Sequence, residues 1–132
     1  MSTTQRILIV DDASLVRLYY RIILAPAGFE VEEAMNGLEA LEKLFDHAVD
    51  LLIVDINMPK MDGLTFLKTL RSQASNIASI PALVISTEAA PADLAAARQA
   101  GANFYLSKPV QPEVLLRYVT LLCASMPAGS PA

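Results

Sequence analysis

The chain holds no tryptophan, one histidine and one cysteine among its 132 residues. A lone Cys123 excludes an internal disulfide and points to a reducing compartment. It reads as a small apolar packer in the last helix. A lone His47 excludes a metal centre built on several imidazoles and reads as a solvated residue at a helix end. Positive charge is also scarce. Ten Lys and Arg face fourteen Asp and Glu, for a net charge of −4. With no basic cluster anywhere, this balance speaks against direct nucleic-acid binding and against an anionic membrane surface. No apolar run approaches the roughly 20 residues that cross a bilayer. The short run near the N-terminus is cut by two acids, so it lacks a signal-peptide pattern. The expected setting is the cytoplasm, without membrane insertion. What the chain does have is a hydrophobic content of 54% in a length suited to one domain. Residues 1–126 are expected to form that domain and residues 127–132 a flexible tail.

The apolar residues come in short blocks that end in acids. Ile7-Leu8-Ile9-Val10 runs into Asp11 and Asp12, and Leu51-Leu52-Ile53-Val54 runs into Asp55. Continuous apolar blocks of this length suit strands buried on both faces, as in a parallel sheet. Acids just past such strands sit at the carboxyl edge, where open α/β sheets bind ligands. Three carboxylates gathered there repel one another, which raises a pKa or calls for a cation. All-oxygen donors favour a hard ion such as Mg²⁺.

Between the strands the period changes to that of a helix. Leu15, Leu18 and Ile22 recur at helical spacing after Ser14, a candidate cap, and Pro26 and Gly28 end that helix. Phe29-Glu30-Val31-Glu32 alternates as an edge strand does, and Asn36-Gly37 marks a turn. Further helices follow from Leu38, Leu41 and Leu44, from Leu64, Leu67 and Leu70, from Pro91, and from about Pro112. Ala82-Leu83-Val84-Ile85 and Phe104-Tyr105-Leu106 supply the fourth and fifth strands. Five βα units with short connections predict an α/β, doubly wound five-stranded parallel sheet with five surrounding helices.

The polar residues behind each strand form one set. Strand one supplies Asp11 and Asp12, strand three Asp55 and Asn57, strand four Ser86 and Thr87, and strand five Ser107 and Lys108. Acids for a metal, a hydroxyl donor and a lysine for an anion describe a phosphoryl site. Taken singly, each residue has a plainer reading: Asp12 as a cap, Asp62-Gly63 as turn chemistry, Tyr105 as an edge-strand aromatic.

The set resembles the response-regulator receiver domain, in particular the single-domain chemotaxis regulators of the CheY-like type. The matching residues are Asp11-Asp12, the run from Asp55 through Asn57 to Asp62-Gly63, Ser86, Lys108-Pro109, Ala100-Gly101-Ala102 and Tyr105. The resemblance spans roughly residues 5 to 125. It implies strand order 2-1-3-4-5, as in flavodoxin and CheY. Asp55 becomes the phosphoacceptor, fed by a sensor histidine kinase or a histidine phosphotransfer protein. Mg²⁺ is implied on Asp11, Asp12, Asp55 and the backbone carbonyl of Asn57, with Asp12 a direct ligand and Asp11 acting largely through water. Ser86 and Lys108 take up phosphoryl oxygens, Tyr105 moves with Ser86 as the switch, and the Lys108-Pro109 bond is cis. Asn57, Thr87 and Glu88 stand where the phosphate lifetime is tuned, and Thr87 is bulkier than the small residue common there. Ala13 replaces an aromatic found in close relatives.

The resemblance also places the output surface on the fourth helix, fifth strand and fifth helix, facing an unknown output protein. The fourth helix here lacks the lysines of flagellar-switch regulators, and the last helix is apolar nearly all round. Exposed apolar residues such as Leu116, Tyr118 and Leu121 would suit a partner or a homodimer. Two other readings stand beside the main one. The chain is a receiver fragment of a larger multidomain regulator, or a haloacid-dehalogenase-type phosphohydrolase. The latter wants a second Asp two residues after the nucleophile, where Asn57 stands.

Overall fold

The computed structural model describes residues 4–124; the expected tail at 127–132 lies outside them. The five expected strands form, as β1 (Arg6–Val10), β2 (Glu30–Ala34), β3 (Leu51–Val54), β4 (Ala82–Ser86) and β5 (Phe104–Ser107). All pair in parallel, in the order β2-β1-β3-β4-β5, which is the expected order. The helices are α1 (Ser14–Leu24), α2 (Gly37–Asp46), α3 (Gly63–Arg71), α4 (Ser75–Ala78), α5 (Pro91–Ala100) and α6 (Pro112–Ala124).

Among the described residues the helices number six, not five. The extra one, α4, is a single turn in the connection from α3 to β4. It forms because Ile77 drops into the core and because the Arg71 guanidinium, at the end of α3, donates to the carbonyls of Ala78 and Ile80 at 2.7 and 2.6 Å. The expected fourth and fifth helices are therefore α5 and α6.

Alternate residues of the central strands face opposite layers, as pleating requires. Leu8, Val10, Leu52, Val54 and Val84 pack with α2, α3 and the end of α5. Ile7, Ile9, Ile53, Leu83 and Ile85 pack with α1 and α6. β1, β3 and β4 are thus covered on both faces, which is why their sequences show no alternation. β2 and β5 are the edges and keep polar or half-exposed positions.

The spacing of α1 reads differently in three dimensions. Leu15, Leu18 and Ile22 are 78%, 47% and 62% exposed, whereas Tyr20 and Leu24 are buried, with Val16 and Ile23 packed beside them. Both sets have helical period, and the larger Tyr20 side chain takes the sheet side. Ser14 does not cap this helix. It is the first helical residue, Ala13 holds the cap position, and the nearby acceptor is the Asp11 carboxylate, which takes the Ala13 N–H at 2.9 Å. Asn36 does more than turn the chain: its side chain caps α2 by accepting the Glu39 N–H at 2.9 Å. His47 closes α2 in solvent, with Nδ1 3.3 Å from Glu32, and Cys123 is buried, its thiol pushed up to about 11 by desolvation.

Candidate functional site

β1 and β3 are adjacent and in register, with Val10 opposite Val54, so Asp11 and Asp55 leave the sheet side by side. The Asp55 N–H donates to the Val10 carbonyl at 2.9 Å, and the Asp11 N–H to Ala34 at 3.0 Å, so the ladder extends one residue beyond the strands. Asp12 follows in the loop. One carboxylate oxygen each from Asp11, Asp12 and Asp55 lies within 4.8 Å of the others. Asp11 and Asp55 are buried and Asp12 is exposed, giving a floor and an open rim.

This donor set fits a hard divalent cation: three carboxylates, no sulfur or imidazole, and one side open to water. Among the described residues no hydrogen bond is made to the Asn57 carbonyl, so that oxygen is also free of protein partners.

Opposite the acids stands Lys108. Its Nζ lies 3.1 Å from Asp11 Oδ2 and 3.4 Å from Asp55 Oδ1. Desolvation works against the Lys108 charge, but the hydrogen bond and coulombic pull of Asp11, and then those of Asp55, outweigh it and raise its pKa. Asp55 is also shifted upward. Burial is the main cause and the charge of Asp11 adds to it, while Lys108 offsets only part.

Ser86 ends β4, between β3 and β5, and is fully buried. Its Oγ accepts the Glu88 N–H at 3.1 Å, and its carbonyl accepts the Lys108 N–H at 2.8 Å. The hydroxyl hydrogen remains available for an acceptor elsewhere. Thr87 and Glu88 are exposed beside it. The Tyr105 hydroxyl donates to the Glu88 carbonyl while its ring packs on the core. The segment that bears Ser86 is thereby tied both to β5 and to the aromatic. The Lys108-Pro109 bond is cis, as expected.

The loop after β3 is shaped by Gly63, the first residue of α3. A Cβ there would stand 2.2 Å from the Asp55 carbonyl oxygen, a distance no side chain tolerates, and the Gly63 N–H donates to Ile56 at 2.8 Å. Asp62 caps α3 by accepting the Thr65 N–H at 2.8 Å. The Asp62-Gly63 turn therefore also sets how closely α3 approaches the backbone of Asp55.

Sequence reasoning singled out the side chains at the strand ends and missed those that hold them from α1. Arg17 donates to the Asp11 carbonyl at 2.6 Å and to Glu33 at 2.7 Å. The Tyr19 hydroxyl donates to the Val110 carbonyl at 2.8 Å, just past the lysine. A cation one turn beyond an acid pair could have flagged Arg17. Nothing local could flag Tyr19, whose partner is 91 residues away.

At the face formed by β5 and α6, the Phe104 ring meets that of Tyr118 in a tilted pair, with centroids 5.0 Å apart. Leu121 is 57% exposed, while Leu116 and Tyr118 are partly buried against the core, so the apolar surface is narrower than the helix sequence suggests. Among the described residues no helix is long and apolar enough to cross a membrane.

The family model of the response regulator receiver domain matches residues 7–120. The chain is 43% identical over 112 residues to chemotaxis protein CheY1 of Helicobacter pylori, covering 83% of this chain and 90% of that protein. It is 40% identical over 115 residues to chemotaxis protein CheY of Bacillus subtilis, covering 86% and 93%. The solved structure of chemotaxis protein CheY4 of Vibrio cholerae superposes with a TM-score of 0.86 at 37% identity, covering 91% of this chain and 99% of that one. A signal receiver domain of a histidine kinase from Syntrophus aciditrophicus gives 0.86 at 30% identity, covering 93% and 92%. With three carboxylates and a lysine at the carboxyl edge of a 2-1-3-4-5 sheet, and a family match over nearly all of that sheet, the chain belongs to the response-regulator receiver family, as a CheY-like member.

Proposed function

We propose that this protein is a phosphorylation-dependent switch of a two-component system, with Asp55 as the phosphoacceptor. The observation that carries the reading is the position of Lys108 Nζ between Asp11 and Asp55, 3.1 and 3.4 Å away, above a three-carboxylate cluster. A structural ion pair would need one acid; two acids on one lysine with a third beside them leave negative charge uncompensated at an open rim.

Asp55 attacks the phosphorus of a histidine kinase or phosphotransfer-protein phosphohistidine. The P–N bond breaks as an O–P bond forms, and the imidazole leaves as a neutral ring, keeping the proton that its other nitrogen already carries. Asp11, Asp12, Asp55 and the Asn57 carbonyl would hold Mg²⁺, which would neutralise charge on the donor. Lys108 turns from Asp11 toward a phosphoryl oxygen, and the Ser86 hydroxyl donates to another. A phosphate adds roughly two negative charges and three acceptor oxygens. Drawing Ser86 toward it pulls on the Glu88 amide and, through the Glu88 carbonyl, on Tyr105. Tyr105 then transmits the change to the surface of α5, β5 and α6, where an output protein or a second copy docks. Asn57, Thr87 and Glu88 line the approach for water and set the phosphate lifetime. The protein modifies itself and turns over no external substrate. Residues 1–126 act as one receiver unit in the cytoplasm.

The test is incubation with Mg²⁺ and phosphoramidate, read by intact mass. One phosphate per chain is expected for wild type and none for Asp55→Ala. Equal labelling of both overturns the assignment.

A further inference from the structure

We infer that Tyr19 is a positioning residue for Lys108, acting through the backbone that follows it. The inference rests on the phosphoacceptor reading above, because it concerns how the lysine meets Asp55.

The lysine sits where regular structure has stopped. β5 ends at Ser107, and α6 begins at Pro112. On its N-terminal side Lys108 is held by its own N–H to the Ser86 carbonyl. On its C-terminal side Pro109 has no N–H to give. Among the described residues, one side chain bonds the backbone between Pro109 and Gln111: Tyr19 of α1, donating to the Val110 carbonyl at 2.8 Å.

Val110 packs its side chain into the core, at 6% exposure, but the backbone around Lys108 and Pro109 faces α1 across open space. Between α1 and this segment lies an open, mainly apolar cavity of about 230 Å³, lined by Leu15, Tyr19, Tyr20, Lys108, Pro109 and Val110 among others. Across such a gap dispersion is weak and does not fix a distance. A directional O–H···O bond does. The Tyr19 ring is held in turn by the buried Tyr20, at a centroid distance of 5.9 Å. The chain of support runs from the sheet through Tyr20 and Tyr19 to Val110, and from there across Pro109 to Lys108. Arg17, on the opposite flank of α1, holds the Asp11 carbonyl at 2.6 Å. One helix thereby braces both the acid-bearing and the lysine-bearing segment. Losing the Tyr19 hydroxyl frees the second brace, and Nζ then samples positions farther from Asp55.

Tyr19→Phe removes the hydroxyl and keeps the ring; since Tyr19 is 40% exposed, the fold should survive the change. Two measurements test the role. Without metal or donor, amide exchange across residues 107–111 should quicken in Tyr19→Phe and stay unchanged in β1 and β3. With Mg²⁺ and phosphoramidate, the maximal rate of Asp55 labelling should fall about threefold to tenfold at unchanged half-saturation, as for a misplaced charge that acts in the transition state. In a Lys108→Ala background the same substitution should change the residual rate by less than about twofold, because the residue through which Tyr19 acts is gone. Equal exchange, an unchanged rate, or the same rate loss with and without Lys108 overturns the inference. If wild type takes up no phosphate on Asp55, the phosphoacceptor reading falls and this inference with it. If wild type is labelled and Tyr19→Phe matches it, only the Tyr19 inference falls.

Discussion

Lys108 stands closer to Asp11 than to Asp55, 3.1 against 3.4 Å. The cation is thus held mainly by Asp11 rather than by the candidate phosphoacceptor. The candidate nucleophile keeps part of its charge uncompensated, which fits its raised pKa. A site arranged in this way is poised for a second cation and for a group that can take Lys108 over.

The raised Asp55 pKa makes a stability prediction. The folded state holds this proton more tightly than the unfolded chain does. The stability linked to that proton is present at low pH and is lost as pH rises through the raised value. Above it the ionised carboxylate costs stability. Asp55→Asn should therefore raise the metal-free melting temperature at pH 7.5 by roughly 3–6 °C, about 1 kcal/mol for a domain of this size. The gain should shrink toward pH 4.5. Mg²⁺ should stabilise wild type more than the variant, by mass action on the intact carboxylate set. Thermal melts with and without Mg²⁺ at both pH values check all three statements.

Gly63 should tolerate no side chain. Its Cβ position lies 2.2 Å from the Asp55 carbonyl oxygen, and that neighbour is backbone. Gly63→Ala is expected to cost about 2–4 kcal/mol in urea unfolding, through overpacking that the strand cannot relieve. Any folded fraction should also label more slowly at Asp55, whose backbone must move.

Arg71 ties the ends of several elements together. Its guanidinium donates to the carbonyls of Ala78, Ile80 and Gly101 and to the Asn103 side chain. Arg71→Ala leaves these acceptors short of partners and should cost about 2–4 kcal/mol. Arg71→Lys should recover less than half, because one ammonium cannot span the fork. Urea titration of the three proteins gives the comparison.

Lys60 adopts φ of 69° in the exposed loop that follows Asp55. That left-handed conformation disfavours β-branched residues and suits asparagine. Lys60→Val should lose about 1 kcal/mol and Lys60→Asn gain a few tenths. Since the side chain is exposed, equal stability of the two variants would show that the backbone does not hold this conformation in solution.

Much of this molecule can be read along the chain. A strand covered on both faces must be apolar throughout, so Ile7 to Val10, Leu51 to Val54 and Ala82 to Ile85 announce themselves, and an acid that breaks such a run marks the sheet's carboxyl edge. Asp11, Asp12 and Asp55 are legible for that reason, and Ser86 and Lys108 as the polar residues at the ends of the next two strands. Local sequence leaves other questions open. In α1, Leu15, Leu18 and Ile22 have the same period as Val16, Tyr20 and Leu24, and only docking on the sheet decides that the second set is buried. The turn at Ser75–Ala78 depends on Ile77 finding the core and on Arg71 reaching its carbonyls. The braces from Arg17 to Asp11 and from Tyr19 to Val110 exist because β1, α1 and the segment after β5 meet at one edge. The sequence by itself determined which side chains gather at the candidate site, because the burial demanded of parallel strands writes their ends into the order of residues. The tertiary structure alone decided what holds those side chains in place, because those contacts join segments far apart in sequence and form only when the layers pack.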